Sequence, residues 1–380
     1  MIADLDADQR AAVTTSSRLV AVIAGAGSGK TRVLTRRVAH RIATGDAEPQ
    51  HTLVLTFTRE AAGELRRRLR SLGLREHVEA GTFHSVMLGV LRQRWADTDR
   101  QPRTVVADRR RLLRDALSAV GSASPRATAV ASAEIDWAGA RGVSVDAYPR
   151  AARAANRRPT GGIERAAGAY AAYEQLKRSR GVVDFDDVLA NVLDEAGRDA
   201  SFADVLRWRF RHLLVDEAQD LNPVQHRLVD LLRHGRDDLF LVGDPSQAIY
   251  GFNGADPRVL TEVHEAFSGI EIVRLPVNHR CTPQVVRAAR HALGDSGDAA
   301  DLRSARADGP VVTMHEAPDE DAEAEWVARQ IARGDPSLVR SGQLAVLART
   351  NAQLTAIEAA LADKGVNVRR SASVANSPLQ

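Results

Sequence analysis

Ala24-Gly25-Ala26-Gly27-Ser28-Gly29-Lys30-Thr31 follows the apolar run Leu19-Val20-Ala21-Val22-Ile23 and opens a helical pattern. Its glycines leave room for successive backbone N–H groups to curl around phosphate oxygens, and the helix N-terminus adds partial positive charge. Lys30 supplies a point charge for β- and γ-phosphates, and the Thr31 hydroxyl suits Mg²⁺. The strict pattern begins with Gly where Ala24 stands, a departure that a small residue should tolerate. A glycine-rich turn without function is the bland alternative. Against it, strand, loop and helix come in the order that a phosphate cradle needs, and Lys30 is one of only three lysines in the chain.

Such a cradle needs a carboxylate site on a neighbouring strand. Asp216-Glu217-Ala218-Gln219-Asp220 follows Leu213-Leu214-Val215, and α/β sheets place ligands at the carboxyl ends of their strands. Asp216 is expected to hold Mg²⁺ and Glu217 to orient and deprotonate an attacking water. Taken alone, two acids after a strand also read as the first turn of a solvated helix. Further runs at Leu53–Phe57, Leu239–Val242 and around Val346 are continuously apolar, as in parallel strands buried on both faces. Helical patterns lie between them, Ala61, Ala62, Leu65, Leu69 and Leu72 among them. This alternation predicts an α/β fold.

Across 380 residues, 44% are apolar and 27% charged, a composition that argues for a folded chain and against disorder. No apolar run reaches the roughly 18 residues of a membrane span. The opening MIADLDADQR is acidic and polar, unlike a secretory leader. A single cysteine, Cys281, excludes an internal disulfide or a cysteine zinc site and fits a cytoplasmic location. Lysine and arginine total 52, yet net charge is only +3. From residue 100 to 180, however, 16 basic residues face 7 acidic ones. That stretch is mostly helical in pattern. On charge alone it reads first as a solvated arginine-rich face, and it is permissive of DNA without proving it.

With these motifs in view, the chain resembles the UvrD/Rep/PcrA-type superfamily 1 DNA helicases. Leu5–Arg10, containing Gln9, is similar to the family's adenine-reading motif, and Arg32 follows the P-loop as it does there. Thr56-Phe57-Thr58 and Gly81-Thr82-Phe83-His84 resemble its first DNA-contacting motifs. Asp184-Phe185-Asp186-Asp187 resembles an element preceding the acid pair. Gly243–Phe252 resembles the segment coupling ATP to DNA, and Asn278-His279-Arg280 the start of the second motor core. The resemblance implies that Gln247 senses the γ-phosphate, His279 stacks on adenine, and Arg280 acts as an arginine finger. It also implies DNA contacts at Phe57, Thr58, Thr82, His84, Tyr250 and Phe252, since aromatic faces grip single strands irrespective of sequence.

The resemblance further implies a RecA-like core over 1–88 and 181–269, a basic helical insertion over 89–180 that binds DNA, and a partial second RecA-like core over 270–380. The expected activity is ATP- and Mg²⁺-dependent translocation along single-stranded DNA, 3′ to 5′, with unwinding at single-strand/duplex junctions in repair or recombination. Phe252, Asn253, His279 and Arg59-Glu60 stand where the family usually has Trp, Arg, Tyr and Asn-Lys. The later motifs, including a second γ-phosphate arginine, have no counterpart, so the chain reads as the N-terminal part of such a machine. Two other readings stay open. One is a non-motor ATP- and DNA-binding switch completed by a partner protein; the other, a helicase–nuclease subunit, would need a nuclease domain that this sequence lacks.

Overall fold

The computed structural model describes residues 2–74, 78–106, 108–121, 123–251, 254–256, 258–294 and 301–369. The chain divides into two compact units, Met1–Pro310 and Val311–Gln380. In the first, strands are β1 (Leu19–Ala24), β2 (Thr52–Thr56), β3 (Glu79–Thr82), β4 (Thr104–Val105), β5 (Val182–Val183), β6 (His212–Val215), β7 (Leu239–Gly243), β8 (Glu271–Leu275), β9 (Val277–Asn278) and β10 (Arg303–Ser304). Six form one sheet in the order β3-β2-β6-β7-β1-β8, and every pairing is parallel.

Side chains alternate between the faces of a strand, and that alternation splits the core. Leu19, Ala21, Ile23, Leu53, Leu55, Leu213, Val215, Leu239 and Leu241 face helices 83–97, 185–198, 200–209 and 223–233. Val20, Val22, Ala24, Val54, Leu214, Phe240 and Val242 face helices 7–14, 30–43 and 59–71. Burial on both faces explains why these strands read as unbroken apolar runs.

Two expected boundaries move. Helix Phe83–Asp97 belongs to the sheet's own core through Met87, Val90, Leu91 and Trp95, so the inserted module begins after it and is held together by Leu112, Leu113, Ile135, Tyr148 and Tyr173. At the other limit, β8 lies beyond residue 270 yet pairs with β1 and completes the first sheet. Within the module Arg157 pairs with Glu134, Arg180 with Asp115 and Arg109 with Asp136, while Arg109 also reaches Asp186 on the core helix 185–198.

In the second unit, helices Glu320–Arg333 and Asn351–Asp363 pack through Ala324, Ala328, Ile357 and Leu361. The strand expected around Val346 does not form. Val346 instead packs against that helix pair, and among the described residues of this unit no strand offers it the ladder bonds that a strand requires. Among the described residues, no helix is long and apolar enough to cross a membrane.

Candidate nucleotide-binding site

Because the large sheet is parallel, the carboxyl ends of β1, β6, β7 and β8 share one edge. Segments widely separated in sequence therefore meet there around a cavity of about 380 Å³. Its lining includes Gln9, Ala26, Gly27, Gly29, Lys30, Thr31, Arg32, Glu217, Gln247, His279 and Arg280. Those are eleven of the expected site residues on one surface.

The loop has the expected curl. Gly27 and Gly29 hold φ of +72° and +91°, the left-handed region that glycine adopts without cost. Ser28 closes the turn, its hydroxyl donating to the Gly25 carbonyl at 2.7 Å. Ala24 lies fully buried in the last register pair of β1, opposite Leu275. Its methyl joins the core cluster of Val20, Val22, Val33 and Leu34, which accounts for the tolerated departure from glycine. Helix Lys30–Ala43 starts at Gly29, placing Lys30 and Thr31 in the first turn.

At the end of β6, Asp216 N–H donates to the Leu55 carbonyl at 2.8 Å, carrying the ladder one residue past the strand. The carboxylate is 3% exposed, and its Oδ1 is buried without a hydrogen-bond partner. Burial, reinforced by the Glu217 charge, pushes Asp216 up to about 7, and Lys30 opposes the shift. Asp220 is likewise raised to about 7 by burial and Glu217. A buried, unsatisfied carboxylate beside a phosphate cradle fits a divalent cation. Glu217 takes a left-handed φ of +53°, strained for a side chain with a Cβ. Its carboxylate faces Lys30 Nζ at 3.7 Å and accepts from Gln219 Nε2 at 3.0 Å. Gln219 Oε1 in turn accepts from Asp244 N–H at 2.9 Å, and Gln247 Nε2 donates to the Asp244 carboxylate. One polar chain thus joins the acid pair to the segment after β7.

One end of the cavity is built by helix Ala7–Thr14. Asp6 and Gln9 form its capping box, and buried Gln9 donates through Nε2 to the Ser28 carbonyl at 2.9 Å. From the far side, Asn278 Nδ2 donates to the Ala26 carbonyl at 2.6 Å and His279 N–H to the Gly27 carbonyl at 2.9 Å. The His279 ring meets Asp6 at 2.9 Å. Arg280 comes with them, held by its N–H to Asn278 Oδ1 at 2.8 Å.

Arg68 lines the same cavity and escaped the sequence reading. It lies on helix Arg59–Ser71, three turns past the motif at that helix's start, and only the packing of the helix beside the loop turns it inward. Its spacing four residues after Glu64, with which it pairs at 2.6 Å, reads as an ordinary surface ion pair.

The expected DNA contacts lie elsewhere on the first unit, after β2, β3 and β7. Thr58 and Thr82 cap helices 59–71 and 83–97, each hydroxyl accepting from the first turn. Phe57 packs on the core beside Phe83, with ring centroids 5.8 Å apart. His84 sits edge-on to Phe185 at 5.5 Å, and burial pushes its imidazole down to about 4. Tyr250 is exposed. Phe252, together with Asn253, lies outside the described residues.

Comparison with known proteins gives a consistent picture. Residues 5–268 match the UvrD/REP helicase N-terminal domain, and residues 273–374 the UvrD-like helicase C-terminal domain. The chain is 38% identical over 390 aligned positions to the ATP-dependent DNA helicase UvrD2 of Mycobacterium tuberculosis, covering 96% of this chain and 55% of that protein. It is 29% identical over 372 positions to the ATP-dependent DNA helicase PcrA of Staphylococcus epidermidis, covering 94% and 49%. PcrA of Staphylococcus aureus gives 29% over 368 positions, covering 93% and 49%. The chain spans about half the length of the curated relatives it matches.

Proposed function

Since this chain belongs to the UvrD/REP helicase family, we propose that its cavity binds and hydrolyses ATP and that hydrolysis drives movement along single-stranded DNA. The carrying observation is the convergence of Lys30, Thr31, Glu217, Gln247 and Arg280 on one cavity, with Asp216 immediately before Glu217 at the end of β6. The loop N–H groups and Lys30 hold the phosphates, and Gln9 and His279 hold the base. Thr31 and Asp216 hold Mg²⁺, which would neutralise charge on the phosphoryl oxygens. Glu217 orients the attacking water and accepts its proton, while Arg280 offsets charge on the transferring group. Gln247 reports the γ-phosphate through Asp244 and Gln219.

DNA lies along the segments carrying Phe57, Thr58, Thr82, His84 and Tyr250, with Phe252 continuing the last of them. Two helix N-termini after β2 and β3 offer N–H groups to phosphates, and the arginines of the inserted module extend the track toward the duplex. Movement 3′ to 5′, unwinding of junctions and service in DNA repair or recombination follow from the family resemblance.

The test is steady-state and single-turnover ATPase with and without single-stranded DNA, on this chain and on Glu217→Gln. Turnover stimulated by DNA and lost in the variant, with ATP still bound, supports the proposal. Nucleotide and DNA binding without turnover in the unaltered chain would favour the binding switch.

A further inference from the structure

Arg37 is the most voluminous of the completely buried side chains, at 2% exposure. It projects from helix Lys30–Ala43 about two turns beyond Lys30. Its Nη1 donates to the carbonyls of Val13 at 3.0 Å and Thr15 at 2.6 Å, and its Nη2 to that of Ser17 at 2.5 Å. The guanidinium carbon lies 5.6 Å from the Phe240 ring centre. Burial, then the neighbouring Arg41 charge, pulls its pKa down to about 10, which leaves it cationic at neutral pH.

The three acceptors are the end of helix Ala7–Thr14 and the loop leading from it into β1. Helix C-terminal carbonyls favour a cation, and the planar fork spans several of them as an ammonium does not. A core needing only stability is served as well by an apolar side chain of this size. What the guanidinium adds is a fixed relation between two helices. One carries Lys30 and Thr31 at its start. The other carries Gln9, one turn before Val13, whose side chain donates to the Ser28 carbonyl. The two helices meet closely at that junction: Gln9 is 1% exposed, and a Cβ on Gly29 would stand 2.7 Å from its Nε2.

We infer that Arg37 is a positioning residue for nucleotide-base selectivity, locking the helix that carries Gln9 to the helix that carries the phosphate-binding Lys30. The inference rests on the cavity being the ATP site with Gln9 at its base end. It assigns Arg37 no contact with nucleotide.

The experiment measures binding of ATP and GTP, with melting temperature, for the unaltered chain, Arg37→Lys, Gln9→Ala and the double variant. The unaltered chain should prefer ATP. Arg37→Lys should lower that preference about tenfold, the scale of one weakened hydrogen bond, by weakening ATP and sparing GTP. Gln9→Ala should lower it similarly, and the double variant no further than either single change. Equal weakening of both nucleotides by Arg37→Lys, an additive double variant, or an unaltered chain indifferent to the base would overturn the inference. Failure of the unaltered chain to bind any nucleotide would sink the site reading instead. Should Arg37→Lys not fold, Thr15→Val carries the test. It removes the hydroxyl that binds Glu271 at 2.7 Å and receives Ser17 N–H at 3.1 Å, loosening the gripped loop without touching the buried cation. A reduced preference for ATP supports the inference, and an unchanged preference overturns it.

Discussion

Lys30 Nζ stands 3.7 Å from Glu217 Oε2, joining the loop after β1 to the strained turn after β6 across the intervening strand β7. The contact sets one largely buried ammonium among three carboxylates, with Asp216 and Asp220 close behind Glu217. Lys30→Ala removes both the phosphate ligand and the counter-charge. Turnover should fall about 100-fold or more while the melting temperature changes little, since Lys30 belongs to no apolar cluster. Steady-state ATP turnover beside a thermal melt checks both halves, and calorimetric titration with ATP reads the affinity. Unchanged affinity would overturn the site reading.

The loop glycines provide a matched pair. A Cβ on Gly27 would lie 2.8 Å from Arg280 Cβ and 2.8 Å from Asn278 Oδ1, at a φ of +72°. One on Gly45 would meet nothing within 4 Å at +76°. Both alanine variants bear left-handed strain of about 1–2 kcal/mol, but only Gly27→Ala displaces the segment holding Arg280. Melting temperature should drop in both and further in Gly27→Ala, where the segment of Asn278 and Arg280 must shift, and nucleotide affinity should drop in Gly27→Ala alone.

Arg68 adds a cation that no motif foretold. Its side chain is 45% exposed, and its pair with Glu64 is a solvent-screened helix-surface contact that contributes little to stability. Arg68→Ala should therefore leave stability nearly untouched. ATP turnover should fall about tenfold through loss of one charge facing the phosphates. Equal kinetics for the two proteins would assign Arg68 to the surface only.

The joint between the inserted module and the core should make stability depend on pH. Lys177 bonds Asp184 and Asp187, and Arg109 bonds Asp186. Burial pushes Asp186 up to about 7 and Asp187 up to about 6. A carboxyl with a raised folded-state value binds its proton more tightly folded than unfolded, so its contribution is fully present below about pH 4 and is lost as pH climbs toward 7. Asp184, held low by Lys177 and Arg109 against its burial, has the opposite sign and loses its contribution as pH falls below about 4. Asp186→Asn should flatten the decline of melting temperature between pH 5 and 8. An unchanged slope would place the pH dependence elsewhere.

His84 supplies the complementary case. With its imidazole pushed down to about 4 by burial, it should stay neutral from pH 5.5 to 9. Single-stranded DNA affinity should then show no step near pH 6.5 attributable to this ring. A proton NMR titration of its ring hydrogens, compared with His84→Asn, checks the assignment.

How much of this was legible beforehand depends on the range of the interaction involved. The P-loop, the acid pair and the Gln247 loop were readable because each is a short run whose chemistry and conformation are local. Burial of the strands on both faces was readable too, since their apolar runs are unbroken. The end of the first sheet was not. Whether residues 271–275 pair with β1 is decided by a ladder partner some 250 residues earlier, and the apolar pattern of a strand does not name its neighbour. Val346 failed for the related reason that β-prone sequence forms no strand without a partner.

The sequence by itself determined that a glycine-rich loop ending in a lysine and a pair of adjacent acids after an apolar run exist, because glycine freedom, a lysine and adjacent acids need nothing beyond their own few residues. Only the tertiary structure decided that they share one cavity, that Arg68 faces it, and that Arg37 spans three carbonyls to hold Gln9 against the cradle. Those relations depend on which strand ends lie side by side in a parallel sheet and on which charges the packing removes from water. Both are set by contacts between residues far apart along the chain.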